Sequence, residues 1–144
     1  MGRNDTSVAV ALGRAHAALL ENLRRLEEAT RPGSAEGLAE LCARLTATQV
    51  YLLEHFRFEE QNGYMDAVRQ REPRLERAVQ ELAEEHRQLA QSLAALLARA
   101  RPALGPGHSI REAVRDWVER VRRHEAREND LVQDAFDVDI GAED

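Results

Sequence analysis

At 144 residues, with 43% hydrophobic, 32% charged and only 4% aromatic side chains, the chain is long enough for one packed core and too short for two comfortable ones. Leu, Ala, Glu and Arg dominate, which is the composition of amphipathic helices and excludes most sheet proteins. A net charge of -6, with arginines interleaved among glutamates, argues against a nucleic-acid or anionic-membrane surface, and no stretch approaches a membrane span.

Four helices are predicted in chain order. Asp5-Thr6-Ser7 offers N-cap residues, after which Leu12, His16, Leu19, Leu23 and Leu26 keep a four-three-four-three spacing until Arg31-Pro32-Gly33 breaks it, so the first helix spans about 6–30. Ser34 is the expected cap of a second helix, 35–69, with Leu38, Leu41, Leu45, Leu52, His55 and Glu59 on one seam. Asn62-Gly63 is where it either kinks or ends, with Tyr64 to Arg69 able to continue it before Pro73. Pro73 suits the first position of a third helix, 73–100, whose seam is Leu75, Val79, Leu82, His86, Leu89, Leu93 and Leu96. Arg101 to Gly107 is a turn, and Ser109 caps a fourth helix, 109–136, with Ile110, Val114, Trp117, Val121, His124, Glu128 and Leu131 facing inward. The acidic tail 137–144 is expected to fray. Short connections between long helices predict an all-α fold, an up-down-up-down four-helix bundle forming a single domain over 1–144. Counting residues from each turn brings His55, His86 and His124 to one height, while His16 needs a tilt or a later start of the second helix.

Each seam thus carries one histidine, His16, His55, His86 and His124, and two are followed at the fourth position by a glutamate, Glu59 and Glu128. Any one of them reads as an ordinary hydrogen-bonded core histidine. The set does not, because burying two carboxylates in a leucine-rich core costs several kcal/mol per ion against a total stability of ~5–15 kcal/mol. A bound cation removes that cost. Nitrogen and carboxylate donors without thiolate suit iron or manganese, and six donors suit two ions better than one zinc. If Glu59 and Glu128 bridge, each ion takes two histidines and keeps open positions for water or a small diatomic. A ferritin-like Glu-x-x-His site is excluded, since Gly13, Leu52, Ala83 and Val121 stand three residues before the histidines.

His16, His55-x-x-x-Glu59, His86 and His124-x-x-x-Glu128, with His55-Phe56-x-x-Glu59-Glu60, Glu85-His86 and His124-Glu125 as local context, resemble the hemerythrin-like family of di-iron four-helix bundles over essentially the whole chain. The resemblance implies that the four histidines are terminal iron ligands and that Glu59 and Glu128 bridge. It departs from the oxygen carriers, which have His-x-x-x-His on the third helix where this chain has Leu82, and an aspartate five residues after the fourth-helix histidine, where it has Asn129. Family members with the four-histidine arrangement include nitric-oxide-responsive iron-centre repair proteins, peroxide-decomposing proteins and an iron- and oxygen-sensing domain. The repair proteins also carry an N-terminal cysteine-bearing segment, and the one cysteine here is Cys42. The resemblance therefore implies a protein with two iron ions that binds or reduces dioxygen, peroxide or nitric oxide, with an oxygen or iron sensor lacking turnover as the alternative.

Secondary expectations complete the reading. Tyr51, one turn before His55, is a candidate hydrogen-bond donor to an oxygen species or an aromatic packed beside the seam. Glu54 and Glu85 are candidate partners for imidazole N–H groups, or surface glutamates paired with arginine. His108 lies off every seam and is left out of the site. Cys42 is expected to pack beside Leu41, and a lone cysteine with no signal-peptide pattern points to a reducing, cytoplasmic setting, with the protein partner unknown.

Overall fold

The computed structural model describes residues 2–31, 37–61, 63–100 and 108–136, and all regular structure among them is helical. The order is α1 (Gly2–Glu28), α2 (Leu38–Gln61), α3 (Tyr64–Arg71), a single 3-10 turn (Pro73–Leu75), α4 (Glu76–Ala100) and α5 (His108–Phe136). The long helices α1, α2, α4 and α5 form an up-down-up-down bundle in which α1 packs on α2 and α5, and α4 packs on the same two. Among the described side chains, each neighbouring pair buries the seam predicted from its spacing. Among the described residues, no helix is long and apolar enough to cross a membrane.

Several boundaries differ from expectation. Asp5, Thr6 and Ser7 lie inside α1, which begins at Gly2, and so do not mark its start. Residue 34, the expected cap of the second helix, the turn 101–107, Asn62 and the tail 137–144 lie outside the described residues. Helix α2 starts at Leu38, later than expected, and His16 lies beside His55 with ring centroids 5.6 Å apart. Ser109 falls within α5, which begins at His108. At the far end of α1, the Arg111 guanidinium of α5 donates to the Ala29 carbonyl at 2.8 Å, satisfying an end carbonyl that α1 leaves open.

The predicted second helix is two helices. Gly63 is the N-cap of α3, and its φ of −101° is open to any residue, so the glycine answers a question of space. A Cβ there would lie 2.7 Å from both Cα and the carbonyl oxygen of Glu59. The chain thus turns directly against the last turn of α2, which sends Tyr64 inward. Gly63→Ala is expected to push Glu59 and Tyr64 out of place at an overpacking cost of ~1–3 kcal/mol, a fall in Tm of about 3–10 °C. A melting curve superimposable on the wild type would refute it.

Two apolar clusters fill the bundle. One gathers Leu19, Leu23, Leu45, Leu52, Leu93 and Trp117, whose indole N–H donates to the Leu89 carbonyl at 3.0 Å. The other, built around α3, gathers Leu12, Tyr64, Val68, Val79, Val132 and Phe136. The buried histidines and glutamates come from the stretches of α1, α2, α4 and α5 that separate the two sets along the chain.

Candidate metal centre

His16, His55, Glu59, His86, His124 and Glu128, the six residues singled out by their spacing, are all buried and converge in one place. Their side chains form two overlapping groups whose donor atoms lie within 4.8 Å of one another: His16, His55, Glu59 and Glu125, and Glu59, His86, His124 and Glu128. Glu59 belongs to both. Its Oε2 lies 2.7 Å from His16 Nε2 and 2.9 Å from His55 Nε2, while Oε1 lies 2.9 Å from His86 Nε2. Glu128 spans the groups in the same manner, with Oε1 3.0 Å from His16 Nε2 and Oε2 2.9 and 3.1 Å from the Nε2 atoms of His86 and His124.

An outer layer turns the imidazoles. The Nδ1–H of His86 donates to Glu60 Oε2 at 2.6 Å and that of His124 to Glu85 Oε1 at 2.6 Å; ionised carboxylates only accept, so these rings carry their proton outside and aim Nε2 inward. Nδ1 of His16 meets Asn129 Oδ1 at 2.7 Å in the same sense. Glu85 is also held by the Arg127 guanidinium, and these two partners keep its carboxyl below the usual range against the effect of burial. Phe56 stacks on His86 at 4.0 Å between centroids. The Tyr64 hydroxyl donates to Glu128 Oε2 at 2.8 Å. Burial, then the charges of Glu128 and Glu59, push that hydroxyl far above its ordinary titration range, so it remains a donor.

The carboxylates dominate the electrostatics. Burial alone would lower the histidines, yet Glu128 and Glu59 lift His16 to about 11 and His86 to about 10, and Glu125 and Glu59 lift His55 to about 9. Glu59 and Glu128 are held below the ordinary carboxylate range, burial and mutual repulsion notwithstanding, by the imidazoles around them. Glu125 goes the other way: burial pushes it up, and His55 and His16 offset only part of this.

The residues fit a pair of ions. Donors bound to one ion at ~2.1 Å must lie between ~3 Å apart, when adjacent, and ~4.2 Å, when opposite. The imidazole-to-carboxylate separations run from 2.7 to 3.9 Å, centred on the adjacent-donor distance and a few tenths of an ångström under it at the tightest pair. Moreover, His55 Nε2, Glu59 Oε1, His124 Nε2, Glu128 Oε1 and both oxygens of Glu125 are buried with no hydrogen-bond partner. An orphaned polar atom costs ~1–3 kcal/mol, more if charged, and six in one place signal a missing common partner. A cation is such a partner for every one of them.

Of the secondary expectations, Glu85 takes the role proposed for it, while Glu54 is exposed. Tyr51 is half-buried and packs on the leucine cluster, and the tyrosine at the carboxylates is Tyr64. Cys42 is a free thiol packed beside the same leucines. Glu125, Tyr64, Glu60 and Asn129 were not singled out as parts of the site. For Glu125 a signal existed: it stands four residues after Val121 and three before Glu128, inside the same buried stripe. Glu60 and Asn129 reach their histidines from other helices, which no spacing along one helix displays.

No match is found among the curated proteins or among the solved structures. The family model of the hemerythrin HHE cation-binding domain matches residues 8–136, a span that holds every donor of both groups. The chain belongs to the hemerythrin HHE cation-binding domain family.

Proposed function

We propose that this chain is a non-haem di-iron protein that binds or reduces a small oxidant, dioxygen, hydrogen peroxide or nitric oxide. The observation that carries the reading is the pair of buried four-donor groups sharing Glu59, each with two histidines and no thiolate. His16 and His55 would hold one ion and His86 and His124 the other, with Glu59 and Glu128 shared, and manganese ranks after iron as the occupant. When bound, the iron pair supplies Lewis acidity and electrons to a small molecule.

The chain's own residues supply the rest. Asn129, Glu60 and Glu85 fix the orientation of His16, His86 and His124, so the donors are set before a ligand arrives. The two apolar clusters flank the donors along the bundle, and a groove of about 620 Å³ lined by Phe56, Glu60 and His86 lies on the flank of α2 and α4, where a small molecule would approach. Tyr64 holds Glu128 through its O–H and keeps a proton at the edge of the cluster. A second reading, a sensor of iron or oxygen without turnover, draws support from the buried carboxylates, whose need for a cation couples metal occupancy to folding.

The test is the visible absorption of anaerobically reduced, iron-loaded protein as oxygen is admitted and then removed. A band that appears and vanishes on deoxygenation supports reversible binding, and a one-way change that oxidises two irons per chain supports reduction. A spectrum indifferent to oxygen, peroxide and nitric oxide alike would rule the reading out.

A further inference from the structure

Glu125 is only 2% exposed, and among the described residues neither of its oxygens has a hydrogen-bond partner. Oε2 nevertheless lies 3.1 Å from His55 Nε2 and 3.9 Å from His16 Nε2. The first separation is short enough for a hydrogen bond and lacks the alignment of one. An imidazole nitrogen and a carboxylate oxygen that close together without an aligned hydrogen bond are placed as two donors to one cation.

The site is lopsided as a result. The His16–His55 position faces three carboxylates, Glu59, Glu125 and the Oε1 side of Glu128. The His86–His124 position faces two, Glu59 and Glu128. On that second side, Leu82 stands one turn before His86 on the same face of α4 and offers no donor atom. The Tyr64 hydroxyl also donates to Glu128 Oε2, the oxygen turned toward His86 and His124, and draws electron density from it. Both effects weaken one position while Glu125 strengthens the other.

We propose that Glu125 is a terminal metal ligand of the His16–His55 position, so that this position fills first and holds its ion more tightly than the His86–His124 position. The inference rests on the two-ion reading given above. It makes the second position the exchangeable one and the place where an exogenous ligand gains a coordination site.

Anaerobic titration of metal-free protein with iron(II), followed calorimetrically, tests it. The wild type is expected to take up two ions in resolved steps, the first at least tenfold tighter, and Glu125→Gln to weaken that first step at least tenfold. Circular dichroism establishes that each variant is folded. Should Glu125→Gln fail to fold, the pair His86→Ala and His55→Ala decides: the first is expected to retain one ion at the wild-type first-step affinity, the second to lose it. Unchanged two-step binding in Glu125→Gln, or a tight ion kept by His55→Ala and lost by His86→Ala, overturns the proposal while leaving the two-ion reading intact. A wild-type protein that takes up fewer than two ions overturns the two-ion reading itself.

Discussion

Glu59→Ala is expected to empty both metal positions at once, where loss of any single histidine directly removes a donor from one. The reason is its reach: one carboxylate oxygen lies 2.7 and 2.9 Å from His16 and His55, and the other 2.9 Å from His86. Removing it takes an anionic donor from each ion and brings the charge around the pair down by one. A loss of at least a hundredfold in affinity, about 3 kcal/mol by the usual conversion, is expected for each position. Glu128→Ala should act the same way, since its two oxygens also divide between the groups, with the added loss of Tyr64's acceptor. The check is metal content per folded chain after desalting, with helicity followed in parallel. Two ions retained by either variant would refute the bridging assignment.

The seams show how far a single sequence carries such a structure. His16, His55, His86 and His124 are legible because their spacing continues that of the leucines on both sides, and helices that bury one stripe must bring those stripes together. The fold follows from the same periodicity. What periodicity misses is lateral. Glu125 sits beside His124 on a stripe wider than one seam, as Val118 sits beside Trp117 and Val132 beside Leu131, all of them buried. Tyr51 keeps the period of His55 but lies at the edge of the stripe, whereas Tyr64 enters because the chain turns at Gly63 against the backbone of Glu59. The direction of that turn is a tertiary fact. So are the hydrogen bonds from His86 to Glu60 and from His16 to Asn129, which depend on how neighbouring helices are set along the bundle.

Stripping the metal is expected to lower the melting temperature by roughly 15–30 °C near neutral pH, more than any single substitution in the core. A ligand present at a thousand times its dissociation constant stabilises by ~4 kcal/mol, two such ions by ~8, and a domain of this size shifts by ~2–4 °C per kcal/mol. The metal-free protein keeps part of its stability because protons take the place of the ions. His16, His86 and His55 are raised to about 11, 10 and 9 in the fold, where the carboxylates overcome burial, against an ordinary value near 6.5. A group whose folded value lies above its unfolded one contributes fully below the unfolded value and loses that contribution as pH rises through the folded one. The metal-free protein should therefore lose stability progressively from about pH 6.5 toward 11. In the loaded protein the ions hold the imidazoles unprotonated and the loss does not occur. The gap between loaded and metal-free melting temperatures is thus expected to widen from pH 6.5 to 9. Thermal melts of both forms at pH 6.5, 7.5 and 9 measure it; a gap that narrows with rising pH would show that protons do not substitute for metal between the glutamates.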